Sequence, residues 1–111
     1  MNGINEIVIA GRITKDPEIK VTSNGKNVCH FRLAVPAGKD QTDFIQCVAW
    51  EQNALYMERF VRKGAWVAVD GWLKQVVYQK GDKDVNSYEV VARQVVSPKQ
   101  SEPMNDFAEV Y

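Results

Sequence analysis

The sequence predicts an all-β fold with one helix. Five strands close into a small Greek-key barrel, with the helix between strands three and four and a flexible tail after them. Three observations predict it. Five segments enriched in β-branched residues alternate side chains with a period of two. Residues 52–63 lack Gly and Pro and carry apolar residues at helical spacing. Turn signals at Asp16-Pro17, Ser23-Asn24-Gly25, Gly64 and Gly81-Asp82 punctuate the chain.

The first strand, 4–14, is apolar on both faces. Ile7, Ile9 and Ile13 take one side, and Ile4, Val8 and Ala10 the other. A strand of this kind lies between two layers or meets another subunit, so Ile4, Val8 and Ala10 are expected at an oligomer interface. Gly11 marks a bulge or the sharp bend that a small barrel needs. In the second strand, 26–35, Cys29, Phe31, Leu33 and Val35 alternate with His30 and Arg32, which places Phe31 in the core and His30 on the surface. The third strand, 43–50, offers a narrow inner face of Ile45, Cys47 and Ala49. Its other face carries Phe44, Gln46, Val48 and Trp50.

The helix is expected over 52–63, with Ala54, Met57 and Val61 inward and Gly64 as its stop; Tyr56 and Phe60 are assigned to packing. A long fourth strand, 66–79, is interrupted at Gly71, and a hairpin at Gly81-Asp82 leads to a fifth strand over 87–96. Three strands, a helix and two strands is the order of the oligonucleotide/oligosaccharide-binding barrel, the OB-fold. The alternation ends at Ser97-Pro98. The chain therefore divides into a domain at 1–97 and a short acidic tail at 98–111.

Composition narrows the function. With 45% hydrophobic and 25% charged residues, the chain reads as an ordinary soluble domain. It has no run long enough to span a membrane and no secretory signal pattern, so a cytoplasmic protein is expected. Cys29 and Cys47 fall in strand-like runs and are expected to be reduced and buried. One histidine and no close cysteine pair argue against zinc, and no metal or cofactor is expected. No spacing picks out paired carboxylates, a nucleophile with its base or a phosphate-cradling Gly loop, so an enzyme is not expected. Net charge is zero, but residues 97–111 carry −2, leaving 1–96 at +2. That excess is far too small for a duplex binder that relies on phosphate attraction.

The aromatic spacing supplies another source of affinity. Phe44 and Trp50 are six residues apart at one parity, as are Trp72 and Tyr78 on the fourth strand, with Gln46 and Lys74 between them. At ~3.3 Å per residue, each pair spans roughly 20 Å. Bases stack on such rings at about 1–3 kcal/mol each with little regard to base identity. Three stacks would supply about 3–9 kcal/mol before losses, against ~8 kcal/mol for a micromolar complex. Arg12, Lys15, Lys20, Arg32, Lys39, Lys74 and Lys80 are the expected backbone contacts. Filling the barrel or a subunit interface is the competing use of the rings, and Trp66, beside the helix end, is assigned to packing. An OB-type module that meets RNA or replication-restart proteins is the alternative function.

Over residues 4–96 the sequence resembles the bacterial and phage single-stranded DNA-binding proteins. The likeness rests on the run Ile7-Val8-Ile9-Ala10-Gly11-Arg12-Ile13-Thr14-Lys15-Asp16-Pro17-Glu18, on Asn24-Gly25 and on Phe31-Arg32-Leu33-Ala34-Val35. It continues through 43–50, Arg62-Lys63-Gly64, Val69-Asp70-Gly71 and Tyr88-Glu89-Val90-Val91-Ala92. The resemblance implies an OB-fold that wraps single-stranded DNA during replication, recombination or repair, usually as a homotetramer, with a dimer also open. Its stacking residues fall at Phe44, Trp50 and Tyr78. A further stacking Trp of some members falls at Lys39, where a phosphate contact is the available use. Members often end in an acidic, partner-recruiting tip; Asp106, Phe107, Glu109 and Tyr111 are acidic and aromatic but lack its Pro-Phe ending.

Overall fold

Alternating apolar residues become strands close to where the sequence places them. In the computed structural model, which describes residues 3–98, β1 spans Ile7–Ile13, β2 Lys20–Val21, β3 Asn27–Pro36 and β4 Thr42–Trp50. After α1 (Gln52–Phe60) come β5, Trp66–Lys80, and β6, Lys83–Val96. The strands run in the order β1-β5-β6-β4-β3-β2, and a further β1–β3 pairing closes five of them into a ring. The two-residue β2 hangs on β3 outside that ring.

A ring of five strands cannot alternate direction all the way round, so one pair must be parallel. Here it is β4 with β6, through Cys47↔Val90 and Val48↔Val91, while β1–β5, β5–β6, β3–β4 and β1–β3 are antiparallel. The helix between β4 and β5 makes this possible by carrying the chain across the barrel end. Ala54, Met57 and Val61 are fully buried in the core with Leu33, Val67, Val69 and Val90.

The interior is filled by small and branched side chains. Phe31 is the one aromatic among the buried hydrophobic residues described, whereas Cys29, Cys47, Ala49, Val69 and Ala92 line the rest of the ring. Both cysteines are free and buried, as expected. Loss of water pushes the Cys29 thiol up from its ordinary value of 9.0, and pushes that of Cys47 to about 12.

Two glycines let strands approach closely. A Cβ on Gly11 would meet the Ala34 carbonyl oxygen at 2.5 Å, where β1 leaves β5 to pair with β3. At Gly71 a Cβ would run into the Val91 carbonyl oxygen. The break expected at Gly71 is in fact on the opposite strand. β5 runs unbroken, and the register slips between Asp70↔Gln94 and Gly71↔Ala92, leaving Arg93 as an extra residue in β6. The slip changes the parity of β6, so Val90 and Ala92 face inward before it and Val95 after it.

Two further boundaries move. The helix stops at Phe60, not at residue 63, because Val61 turns to extended backbone to enter the core. Arg62 Nη1 then donates to the Glu58 and Val61 carbonyls at 2.7 and 2.8 Å, and Asp16 Oδ1 accepts the Lys63 amide at 2.7 Å. Phe60 falls off the buried stripe and is 56% exposed, touching Tyr56 at 5.1 Å between ring centroids. β6 begins at Lys83, four residues before the expected start, so β5 and β6 form a long arm reaching past the barrel.

Gly71→Ala is expected to cost at least about 2 kcal/mol, because the obstruction is backbone that cannot swing aside. Chemical denaturation of the variant measures it; unchanged stability would contradict the packing. The cysteines are expected to resist an aromatic disulfide reagent near pH 8 in the native protein and to react at once in denaturant. In alkali, an unfolded thiol ionises from about 9 while native Cys47 holds its proton to about 12. Stability conferred by the buried thiol is therefore complete below pH 9 and is lost progressively as pH rises through that window.

Candidate nucleic-acid interface

The outer face of the barrel is built by the positions that alternate with the core. On β4 it carries Phe44, Gln46, Val48 and Trp50, and across the ladder on β3 it carries Ala34, Arg32, His30 and Val28. On β5 it carries Trp72, Lys74, Val76 and Tyr78. Phe44, Trp50 and Tyr78 are 59%, 40% and 52% exposed, large rings on a surface that does not need them for packing.

Trp50 is held by the residue after it. Glu51 adopts φ 52°, a left-handed conformation that costs a residue with a side chain energy. Two hydrogen bonds to Asn27 hold it there: its amide donates to the Asn27 carbonyl at 2.8 Å, and Oε1 accepts the Asn27 amide at 2.7 Å. Asn27 precedes Val28, the residue opposite Trp50. The ring therefore leaves the strand at a fixed point and does not follow the chain into the helix.

Trp72 lies on the same face in a different setting. It is half-buried against Val28, Val48 and Val91, a small apolar cluster outside the barrel. The Arg93 guanidinium lies 5.7 Å from its ring centroid and 3.6 Å from Asp70 Oδ1. Val48 is thus buried although it points away from the barrel interior, a second layer that alternation alone does not reveal.

The expected cations divide into two groups. Arg12 is exposed and held by neighbours: Nη1 donates to the Gly64 carbonyl at 2.8 Å, and its guanidinium lies over Trp66 at 5.0 Å. Lys15 and Arg32 border an open cleft of about 300 Å³ with Thr14, His30 and Gln46, and Arg32 Nε donates to Gln46 Oε1 at 3.1 Å. Lys20 is exposed on β2 opposite Val28, Lys39 is exposed in the loop between β3 and β4, and Lys74 is exposed on β5 opposite Glu89. Lys80 sits at the tip of the arm directly opposite Lys83.

Lys83 and His30 are the residues that sequence reasoning leaves out of the surface. Lys83 is missed because the alternation puts the start of the returning strand at Ser87. Two lysines flanking a turn signal would have found it, since like charges opposite each other disfavour pairing unless something anionic offsets them. Alternation puts His30 at the surface on the face of Arg32 but without a role, and the cross-strand register adds Gln46 to that pair.

β1 starts at Ile7, three residues after the expected start, so Ile4 precedes the strand; Ile4 and Val8 are 96% and 74% exposed, and Ala10 is exposed on β1 with Val8. This stretch is anchored: Asn5 Nδ2 donates to the Leu73 carbonyl at 2.7 Å, and Asn5 Oδ1 accepts the Leu73 amide at 2.9 Å. Leu73, Val77 and Tyr88 occupy the inward parity of the arm beyond the barrel and are 42%, 59% and 56% exposed. Asp106, Phe107, Glu109 and Tyr111 lie outside the described residues. Among the described residues, no group of His, Cys, Asp or Glu could hold a metal ion, and no helix is long and apolar enough to cross a membrane.

The model of the single-strand binding protein family matches residues 4–97. The chain belongs to that family. Single-stranded DNA-binding protein 3 of Listeria innocua is 39% identical over 99 residues, covering 83% of this chain and 62% of the relative. Single-stranded DNA-binding protein A of Bacillus subtilis is 40% identical over 82 residues, covering 68% of this chain and 48% of the relative. Single-stranded DNA-binding protein 2 of Listeria monocytogenes is 37% identical over 107 residues, covering 88% and 67%. The chain thus spans about half to two-thirds of the length of these members of the single-strand binding protein family. The matched span holds the whole barrel and the ring-bearing face, so the OB-fold reading agrees with the family.

Proposed function

We propose that this chain binds single-stranded DNA without catalysis, holding exposed strands during replication, recombination or repair. One observation carries the reading: Phe44, Trp50 and Tyr78 are exposed together on the outer face of the barrel and its arm. The names of the relatives agree with it. Stacking at about 1–3 kcal/mol per base supplies affinity that a net charge of zero cannot. Lys15, Lys20, Arg32, Lys39, Lys74 and Lys80 follow the phosphates, joined by Lys83 at the arm tip, while Arg12 steadies the strand end through Gly64 and Trp66. Trp72 forms the wall under Arg93 and extends the ring surface between β4 and the arm.

The working form is an oligomer, a homotetramer or a dimer. Its support is the exposed apolar edge of Ile4, Val8 and Ala10, which is too apolar for a surface left in water. Residues 1–97 form the binding domain and 98–111 an acidic appendage through which replication or recombination proteins attach. A cytoplasmic place of work, with the DNA, goes with that partner.

Phe44→Ala and Trp50→Ala are each expected to weaken binding to oligo-dT roughly ten-fold or more, in line with the loss of one stack. Fluorescence titration measures it, and Trp emission should fall as the parent binds. Variants that bind as tightly as the parent would remove the stacking assignment. An equal-length RNA that outcompetes the DNA would shift the reading to an RNA-binding module.

A further inference from the structure

We propose that the cleft beside Arg32 and Gln46, next to the β4 stretch that runs from Phe44 to Trp50, is a base-reading pocket, and that Arg32, aimed by Gln46, selects guanine within an otherwise sequence-tolerant surface. The inference rests on the single-stranded DNA reading and adds a preference to it.

Three observations carry it. The first is position. Phe44 and Trp50 are six residues apart on β4, roughly 20 Å along a strand, a gap longer than one nucleotide spans. Bases stacked on the two rings therefore leave intervening bases, and those lie over the side chains between the rings. Across the β3–β4 ladder those side chains are Arg32 beside Gln46 and His30 beside Val48.

The second is shape. Next to Gln46 the surface opens into a recess of about 300 Å³, which runs across β3 at His30, Phe31 and Arg32 to Thr14 and Lys15 after β1, with room for a purine. A strand held only by stacking and phosphate attraction needs no recess at this point.

The third is the chemistry of the lining. No carboxylate borders the cleft, and Lys15 and Arg32 can only donate hydrogen bonds. Arg32 is already oriented: Nε is committed to Gln46 Oε1 at 3.1 Å, which restricts how the guanidinium turns and leaves its terminal nitrogens to meet a ligand. A planar fork of donors matches two adjacent acceptors on one base edge, and guanine offers them as O6 and N7. Adenine presents a donor beside an acceptor on the same edge, and thymine an acceptor beside a methyl group. Stacking on the flanking rings stays indifferent to sequence, so the preference acts only on the base seated between them.

The test uses four single-stranded oligonucleotides of about twelve nucleotides, thymine throughout except for one central G, C, A or T, titrated into the full chain. The central-G strand is expected to bind at least about five-fold tighter than the all-thymine strand, the lower end of what one bidentate pair provides. Arg32→Lys keeps the charge and loses the fork, and should reduce the ratio of central-G to all-thymine affinity below about two-fold. Gln46→Leu removes the anchor and should lower the preference with Arg32 still in place. Equal affinities for the four strands, a preference for cytosine, or a G preference that survives Arg32→Lys would each overturn the proposal. Failure to bind all four strands would instead remove the single-stranded DNA reading beneath it.

Discussion

The constraint on which the rest of this molecule depends is the narrowness of the barrel. Five strands enclose a space that Leu33, Met57, Val67, Val69 and Val90 fill completely, with Cys29, Cys47 and Ala49 where strands come closest. Gly11 and Gly71 show how little room remains, since even a methyl group there would strike a neighbouring carbonyl. No Trp fits inside. Large rings in a chain with such a core are forced outward, and the pleat sends Phe44, Trp50 and Tyr78 to the outer face. The tight core and the ring-bearing outer face are two consequences of one packing limit.

Closure adds a second layer of order. An odd ring requires one parallel pair, and β4–β6 supplies it just beside the ring-bearing stretch. Val48 and Val91, paired across that junction, are buried on the outer side and seat Trp72 against Val28. The bulge at Arg93 resets the parity of β6 and puts a guanidinium over Trp72. The outer surface therefore grades from fully displayed rings to one that is half covered, all on strands whose positions are fixed from the inside.

Much of this is legible in the sequence because it is local. Alternation in 26–35 and 43–50 assigns Phe31, Leu33 and Cys47 to the core and Phe44 and Trp50 to the other side. The stripe of Ala54, Met57 and Val61 marks the helical segment. What escapes are features set by the partner strand or by tertiary demand. The irregularity attributed to Gly71 belongs to Arg93 opposite, since a glycine signals close approach without saying which chain bends. Helix propensity runs on through Arg62 and Lys63, yet burial of Val61 ends the helix at Phe60. The contacts of exposed Arg12 with Gly64 and Trp66, more than fifty residues away, are set by tertiary structure and leave no local trace in the sequence. The cleft beside Arg32 likewise exists only once β3 and β4 are in register.

The central claim, that bases lie on the rings of the outer face, is tested most directly by photo-crosslinking. Oligo-dT with 5-iodouracil at successive positions would be bound to the full chain, irradiated and mapped by mass spectrometry. Adducts are expected on Phe44, Trp50 and Tyr78. Adducts confined to Phe60 or Tyr88, aromatic residues off this face, would contradict the claim.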